Sequence, residues 1–362
     1  MPPLPGPSTT ARLPDARTPA PSRPTGLRAT MRDVAALAGV SVKTVSRVVN
    51  DERGVSASTI DRVQQAANQL HFQPNFGARS LRRSDGRTGT IGLILENVAN
   101  PFSGALHRAV ENVARERGVV VLTGSLDEAP ERERALVSAF ASRRVDGLIV
   151  MPTGSDHAYL RREQQAGIPI VFVDRPPGLK ADVVVADNRV GAERGVAHLV
   201  AGGHLAIGFL GDLARIATEQ ERHAGYRDAL RAAGLAAPPH LVVHDAATVD
   251  IAEAAALRML RGPDLPTALF TAQNLVTIGA LRALRRLGRQ HEVALVGFDD
   301  FLLADLLDPP VTVVAQDPHA VGMLAAQRLF RRTEGDTSPC TTEVVPTRLI
   351  ARGSGEIRPP AR

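Results

Sequence analysis

The sequence is poor in the residues that cross-link or stiffen small folds. It contains one cysteine, Cys340, so no intrachain disulfide can form and zinc sites built from several cysteines are excluded. It has no tryptophan, two tyrosines and ten phenylalanines, so its cores must be built from Ala, Val, Leu and Ile. Such sparing use of cysteine is consistent with a reducing compartment.

Long apolar runs and export signals are also missing. No uninterrupted apolar run approaches the roughly 20 residues that a membrane-spanning helix needs. The N-terminus lacks the order of basic and then apolar residues that marks a secretory signal. We therefore expect a cytoplasmic protein with no membrane partner.

Motifs for catalysis and cofactor binding are lacking as well. The glycine-rich stretch 203–211 has the spacing of neither common phosphate-binding loop, and the Asp299-Asp300 pair has no catalytic partners. No His/Cys cluster has metal-ligand spacing. The sequence thus indicates a protein that is not an enzyme, with no cofactor and no metal.

Positive charge is concentrated at one end of the chain. Residues 1–90 carry 13 Lys and Arg against 6 Asp and Glu, whereas the remainder carries 30 against 32. An excess of basic residues in one region is expected where that region meets a polyanion such as DNA, although a basic solubilising tail would look the same.

With 362 residues and 44% hydrophobic composition, the chain can build at least two compact units. Residues 1–29 are rich in Pro, Ser, Thr, Ala and Arg without apolar periodicity, which predicts disorder or a wrongly assigned start. From about residue 90, continuous apolar runs alternate with amphipathic helical stretches, the pattern of parallel strands covered on both faces. The predicted strands are 90–95, 119–123, 147–151, 169–173, 183–186, 206–210, 241–244, 268–271 and 293–297. Their number favours two doubly wound lobes.

Residues 30–71 contain three short helical patterns. Thr30 and Asp33 form a variant of the capping box, Gly39 is placed to end the first helix, and Ser41 is placed to cap the second. A third helix is expected after Ser56. Two short helices joined by a tight glycine-containing turn are typical of the helix-turn-helix.

The second helix has two distinct faces. Val45, Val48 and Val49 point inward. On the opposite face, the polar side chains recur at the spacing of one helix face, namely Lys43, Ser46, Arg47 and Asn50. Basic and short polar side chains on an exposed helix face suit a DNA groove. From periodicity alone, a generic three-helix bundle with a solvated face remains open.

The literal sequence TMRDVAALAGVSVKTVSRVVN at 30–50 resembles the DNA-binding signature of the lactose-repressor/galactose-repressor family. The resemblance continues through Val55-Ser56 and 74–82 to Arg352-Gly353-Ser354-Gly355. It implies an α/β protein: an N-terminal all-α helix-turn-helix head and a two-lobed, doubly wound parallel-sheet sensor resembling periplasmic binding proteins. The domains expected are a head at 30–74, a hinge helix or linker at 75–84, a sensor at 85–352 and a disordered tail at 353–362. Within the sensor, lobe one should comprise about 90–187 and 316–341, and lobe two about 188–315 and 342–352.

The resemblance also implies DNA-binding residues. Base-reading positions match Val42, Lys43 and Arg47, although Lys43 on its own could contact phosphate alone. Positions that hold phosphates match Ser41, Thr44, Ser46 and Asn50. Leu81 matches a minor-groove wedge in the hinge, the alternative being an ordinary linker residue. The remaining residues expected at DNA are Thr30, Asn75 and Arg79.

Ligand contacts are expected from polar or aromatic residues near strand ends, where doubly wound folds bind ligands. The candidates are Asn100, Phe102, Asp174, Arg175, Arg222, Asn274, Asp299 and Gln316. Arg222 matches a cleft arginine of the family, with a structural ion pair as the alternative. Asp187 and Asn188 could either belong to a crossover turn or contact the ligand. Asp300 could either cap the following helix or contact the ligand. Two departures from the family pattern are Asn274, where Asp is usual, and Ser103, where a second aromatic is common.

These features together predict a sequence-specific transcriptional repressor. We expect a homodimer, or a dimer of dimers, on a pseudopalindromic double-stranded DNA operator, controlled allosterically by a sugar or sugar derivative between the lobes. No leucine-heptad tail follows residue 352. The alternatives are a purine-type regulator whose ligand raises operator affinity, and a solute-binding protein, against which residues 30–83 argue.

Overall fold

The computed structural model describes residues 29–50, 52–73, 87–154, 157–262 and 264–361. The chain divides into two compact units, residues 1–84 and 85–362. The segment 1–29, expected to be disordered, lies outside the described residues except for Ala29, and the expected hinge at 75–84 lies outside them entirely. Among the described residues, no helix combines the length and apolar composition that crossing a membrane requires.

The head is a three-helix unit whose ends are set by local hydrogen bonds. Its helices are α1 Met31–Ala38, α2 Val42–Val49 and α3 Ala57–Gln69. The expected capping box is present, because Thr30 and Asp33 each accept a backbone N–H from the other. Gly39 ends α1 in the left-handed conformation at φ 65°, as expected. The helices pack around the fully buried Val34 and Val45.

The first lobe of the sensor is a six-stranded parallel sheet covered by helices. Its elements are β1 Thr90–Leu95, α4 Pro101–Glu116, β2 Val120–Ser125, α5 Pro130–Ser142, β3 Leu148–Val150, α6 Leu160–Gln165, β4 Ile170–Val173 and β5 Asp182–Ala186, with α11 Pro318–Thr333 and β11 Thr342–Val345 returning later in the chain. The strand order is β11-β5-β4-β3-β1-β2. Apolar side chains from both faces of the sheet are buried against these helices.

The second lobe repeats this arrangement. Its elements are α7 Asn188–Ala201, β6 Ile207–Leu210, α8 Ala217–Ala232, β7 Val242–Val243, α9 Val249–Met259, β8 Ala268–Thr271, α10 Asn274–Leu287, β9 Ala294–Phe298, β10 Thr312–Ala315 and β12 Arg348–Ile350. The strand order is β12-β10-β9-β8-β6-β7, and only β12 pairs antiparallel. The chain crosses between the lobes after β5, after β10 and after β11. The expected pair of doubly wound lobes is therefore confirmed, and each of the nine predicted strands overlaps one of β1–β9.

The predicted lobe boundary near the C-terminus is wrong. Residues 342–345 were assigned to lobe two, but they form β11, which pairs parallel with β5 at the edge of the first sheet. Val344 is 58% exposed and only Val345 is buried, so β11 lacks the continuous buried apolar run that marks most of the other strands in the sequence. The last crossover comes after Val345, four residues later than expected.

The expected disordered tail at 353–362 is also wrong for its described part. Residues Ser354–Glu356 form a 3₁₀ helix, and Ser354 is 2% exposed. Its hydroxyl donates to the Leu295 carbonyl at 2.6 Å and accepts from the Thr312 N–H at 2.9 Å. A Cβ on Gly355 would lie 2.9 Å from Thr312, so the chain passes close to β10 only because glycine is there. Because these long-range contacts are polar, no apolar periodicity in the sequence indicates them.

Candidate functional site

The beginning of α2 presents an exposed surface on the head. The hydroxyl of Ser41 caps the helix by accepting from the Thr44 N–H at 3.1 Å. Val42 and Lys43 follow directly and are exposed, while Val45 one turn on is fully buried. The exposed residues therefore stand on a helix end whose position is fixed by its buried face.

Arg47 does not extend into solvent as the periodicity suggests. Its guanidinium donates to the Arg53 carbonyl and lies 3.6 Å from the Glu52 carboxylate, in the connection between α2 and α3. Farther along the same face, the Asn50 amide donates to the Ser46 hydroxyl at 3.3 Å. A base contact by Arg47 would require this side chain to leave the loop that it now supports.

Of the predicted DNA contacts outside α2 and its flanking residues, only Thr30 lies within the described residues. Thr30 is exposed at the start of α1, where its backbone N–H donates to the Asp33 carboxylate at 2.7 Å. This makes Thr30 a capping residue, and its DNA contact stays a prediction. Asn75, Arg79 and Leu81 lie outside the described residues.

The predicted ligand residues converge between the two lobes. Seven of the eight line one cavity, namely Asn100, Phe102, Asp174, Arg175, Arg222, Asp299 and Gln316. The eighth, Asn274, is fully buried beside them. The cavity leaves only about 30 Å³ for the centres of water-sized molecules. A larger one of about 330 Å³ adjoins it and shares Asp174 and Thr218 with it.

Asn274 joins the lobes directly. Its amide nitrogen, at the start of α10 in lobe two, donates to the Asn100 side-chain oxygen in lobe one at 3.0 Å. An ionised aspartate, the usual residue of the family at this position, could not donate this bond. The departure noted in the sequence thus supplies a hydrogen bond between the lobes.

Two aspartates occupy equivalent places in the two lobes. Asp174 follows β4 with φ 68°, and Asp299 follows β9 with φ 69°. Each donates its N–H to a carbonyl of the neighbouring strand at 2.9 Å, Val184 for one and Val314 for the other. Left-handed backbone is costly for residues other than glycine and is concentrated at binding sites. The strand ends therefore hold both carboxylates at the cavity.

Arg175 is enclosed by acidic groups. Its guanidinium lies 3.2 Å from the Asp174 carboxylate, donates to Glu128 at 2.7 Å and contacts the Pro152 carbonyl at 3.2 Å. Burial opposes its charge, but the carboxylates of Asp174 and Glu128 outweigh burial and raise the pKa of Arg175. Arg175 therefore carries its charge within the closed site.

Arg222, from α8, organises the opposite wall. It donates to the Ala272 carbonyl at 2.7 Å and to the Asn188 side-chain oxygen at 2.8 Å, and its guanidinium lies 3.9 Å above the centre of the Phe298 ring. The Asp299 carboxylate lies 3.6 Å from the same guanidinium. Arg222 thus has the structural ion pair left open by the sequence, and it lines the cavity as well.

Asp299 receives a second partner from the crossover after β10. The Gln316 amide donates to its carboxylate at 2.7 Å. Burial raises the pKa of Asp299, and both the Arg222 charge and the Gln316 hydrogen bond oppose that shift.

Two acidic cavity residues were missed as ligand candidates, Glu96 and Asp212, whereas Gln273, another polar residue after a strand, also lines the cavity. Glu96 directly follows β1 and Asp212 comes two residues after β6, so the strand-end rule, applied to every strand, would have found them. Burial is the main cause that raises the pKa of Glu96 to about 7 and that of Asp212 to about 6.

The residues left open between structural and ligand roles have structural partners. The Asp187 carboxylate accepts from the Thr347 N–H at 2.6 Å and joins two crossovers. The Asp300 carboxylate pairs with Arg352 at 2.6 Å and accepts from the next N–H of its own chain. Neither lines the smaller cavity, although Asp187 lines the adjoining one.

A helix-turn-helix head joined to a two-lobed sensor with a buried polar cavity defines a DNA-binding regulator rather than an enzyme. Two family models match the chain: "Bacterial regulatory proteins, lacI family" at residues 30–75 and "Periplasmic binding protein-like domain" at residues 196–355.

Relatives match over most of their length. The transcriptional regulator CelR of Thermobifida fusca is 35% identical, with 91% of this chain and 98% of that protein covered. A solved complex of CelR with cellobiose is 33% identical, with 90% and 100% covered and a TM-score of 0.67. A Lac repressor dimer bound to operator and an anti-inducer is 26% identical, with 91% and 99% covered and a TM-score of 0.80. The chain belongs to the lacI family of bacterial regulatory proteins and is a DNA-binding transcriptional regulator.

Proposed function

We propose that this protein is a cytoplasmic repressor whose affinity for a pseudopalindromic operator is controlled by a sugar or sugar derivative bound between the lobes of the sensor. The observation that carries the proposal is the convergence of seven predicted ligand residues on one buried cavity, in a chain that also has a helix-turn-helix. The proposed domains are a head at 30–74, a linker at 75–84 and a sensor beginning at residue 85.

On the DNA side, the exposed start of α2 is proposed to enter the major groove. Val42, Lys43 and Arg47 would contact base edges, because Arg and Lys can donate to guanine and an apolar side chain can contact the thymine methyl. Contacts to phosphate would come from Ser41, Thr44, Ser46 and Asn50, and further contacts from Thr30, Asn75, Arg79 and the proposed wedge Leu81.

A homodimer is supported by an exposed apolar patch on the sensor. Leu302, Leu303 and Leu306, after β9, are 82%, 54% and 75% exposed. Large apolar side chains clustered at a surface mark interfaces, and a dimer with two-fold symmetry suits an operator with two inverted half-sites. The solved Lac repressor relative is itself a dimer on its operator.

For the effector, a sugar suits the chemistry of the cavity. Carboxylates and amides accept and donate to pairs of hydroxyls, and Phe102 offers an apolar surface for a ring. The adjoining cavity of about 330 Å³ would accommodate a sugar ring, whereas the smaller cavity would have to widen by movement of the lobes. CelR, a relative, has been solved with the disaccharide cellobiose. No observation in this structure favours the purine-type alternative.

The test begins with selection of binding sites from random double-stranded DNA by the full chain, which should enrich an inverted repeat. Titration of the selected site should then show that cellobiose or its component sugar, glucose, changes operator affinity. If the selection enriches no inverted repeat, the operator proposal is contradicted. Failure of every sugar to bind or to change DNA affinity would contradict the effector proposal.

A further inference from the structure

The cavity between the lobes contains more negative than positive groups. Its lining includes the carboxylates of Glu96, Asp174, Asp212 and Asp299 and the guanidiniums of Arg175 and Arg222. Buried charges are stable when they are paired, so the distribution of these partners decides what a ligand must supply.

Both guanidiniums already have close carboxylate partners. Arg175 lies against Asp174 and Glu128, and Arg222 lies against Asp299. Among the described residues, Glu96 and Asp212 form no ion pair within 4.0 Å. The two guanidiniums of the cavity are therefore already paired, with Asp174, Glu128 and Asp299 rather than with Glu96 or Asp212.

Hydrogen bonds to Glu96 and Asp212 come from neutral groups. The Asn100 amide donates to Glu96 at 3.4 Å. The Gln273 amide donates to Asp212 at 3.1 Å, and the Leu213 N–H donates to it at 2.7 Å. Neutral donors stabilise a carboxylate less than a cation does.

The two carboxylates come from opposite lobes and repel each other. Glu96 follows β1, the first strand of lobe one, and Asp212 follows β6, the first strand of lobe two. Burial, with added repulsion from Glu128 and Asp212, raises the pKa of Glu96 to about 7 despite the attraction of the more distant Arg175, which also acts on Asp212. A positive group between them would replace this repulsion by attraction to both lobes.

Unpartnered polar atoms point to a ligand rich in donors. The Ser103 hydroxyl, on a residue only 1% exposed, and the side-chain carbonyl oxygens of Gln273 and Gln316 are buried without a hydrogen-bond partner among the described residues. All three residues line the cavity. Two of these atoms only accept hydrogen bonds and the third can accept, and unsatisfied buried acceptors are costly.

We propose that the effector carries a basic nitrogen, as in an amino sugar, and that its ammonium group binds between Glu96 and Asp212 and holds the lobes together. This inference rests on the proposed function, because it names the class of sugar that the same cavity senses. An ammonium offers three donors, enough for both carboxylates and the Gln273 oxygen. A phosphorylated or acidic sugar would add negative charge to this cavity and is disfavoured.

The test compares matched ligands by calorimetry on the full chain at neutral pH. One pair is cellobiose and the β-1,4-linked disaccharide of glucosamine, and a second set is glucose, glucosamine and glucose 6-phosphate. At least one amine-bearing sugar should bind about tenfold more tightly than its hydroxyl counterpart, and the phosphate should bind most weakly. Glu96→Gln and Asp212→Asn should each abolish the preference, measured as the ratio of the affinities for the two sugars of a pair.

Glu116→Gln is the matched control, since Glu116 is an exposed carboxylate at the end of α4 that lines neither cavity, and the substitution removes the same charge. It should retain the preference. The inference is overturned if no amine-bearing sugar binds, if hydroxyl and amine sugars bind equally, or if the preference persists in both cavity variants. Binding and a DNA response with neutral sugars alone would leave the proposed function standing while this inference fails.

Discussion

The head and the sensor place similar polar side chains in opposite surroundings. In the head, Val42 and Lys43 are exposed at the beginning of α2, over a core that does not depend on them. In the sensor, Arg222 and Asp299 are each about 5% exposed and contact one another inside the protein. Function and stability should therefore be separable at the exposed beginning of α2 and coupled in the cavity. Four predictions test this contrast.

The largest effect should come from Arg222→Ala. It leaves the Asp299 carboxylate buried without its guanidinium and removes the contact with Phe298. Loss of one partner of a buried pair costs about 3–5 kcal/mol, which denaturant unfolding of the full chain would measure, together with loss of ligand response. Arg189→Ala, at an exposed arginine paired with Asp228, is the control and should change little. Equal losses of stability and ligand response in the two variants would contradict the proposed coupling of function and stability in the cavity.

Glu96→Gln should change the pH dependence of stability. Its folded pKa of about 7 lies above its unfolded value, so its contribution is present below about pH 4.5 and is lost as pH rises through about 7. The variant should be more stable than the wild type at pH 8 by on the order of 2–3 kcal/mol, and this difference should vanish in acid. Thermal unfolding across pH measures it. Glu116→Gln should retain the slope of the wild type, and an unchanged slope in Glu96→Gln would argue against a buried, unpaired carboxylate.

Arg47→Ala should reduce specific DNA binding by about 1–3 kcal/mol and relax base preference, with the stability of the sensor unchanged. Affinity for the selected operator and for random DNA should be compared. Arg62→Ala, at an exposed arginine of α3, is the control of equal charge. Equal losses on both DNAs would show that Arg47 contacts only phosphate. A fall in head stability would instead assign Arg47 to support of the loop carrying Glu52 and Arg53.

The smallest effect should come from Thr30→Ala, which removes half of the capping box of α1. A lost N-cap hydroxyl costs about 1 kcal/mol, detectable by circular dichroism of the head transition. Ser56→Ala is the matched control, because Ser56 stands at the N-cap of α3 but its hydroxyl contacts Ser58 and Thr59 side chains rather than a backbone N–H. It should cost less. A cost as large as that of Thr30→Ala would contradict this assignment.

Several features could be predicted because their causes lie within a few residues. The capping box of Thr30 and Asp33, the left-handed Gly39 and the Ser41 cap depend on hydrogen bonds between close neighbours. The strands β1–β9 could be recognised because continuous apolar residues indicate a sheet buried on both faces. Strand-end placement then located most of the cavity, since parallel strands direct their carboxyl ends to one edge.

Other features were decided only by tertiary structure. The sheet that β11 joins is fixed by its pairing with β5, and the tail around Ser354 is ordered by bonds to strands about 40 and 60 residues earlier in the chain. The contact of Arg47 with the loop after α2 likewise requires a geometry that helical periodicity does not contain.

The sequence by itself determined the local elements and the chemical types at the cavity, because capping, turns and buried runs depend on short-range hydrogen bonds and on hydrophobicity. Only the tertiary structure decided which charges are paired. Arg175 and Arg222 lie against Asp174 and Asp299, whereas Glu96 and Asp212 come from separate lobes and have neutral donors. The energy of a buried charge depends on distances across the fold, and pairs such as Arg222 with Asp299 or Asp212 with Gln273 are far apart in the chain.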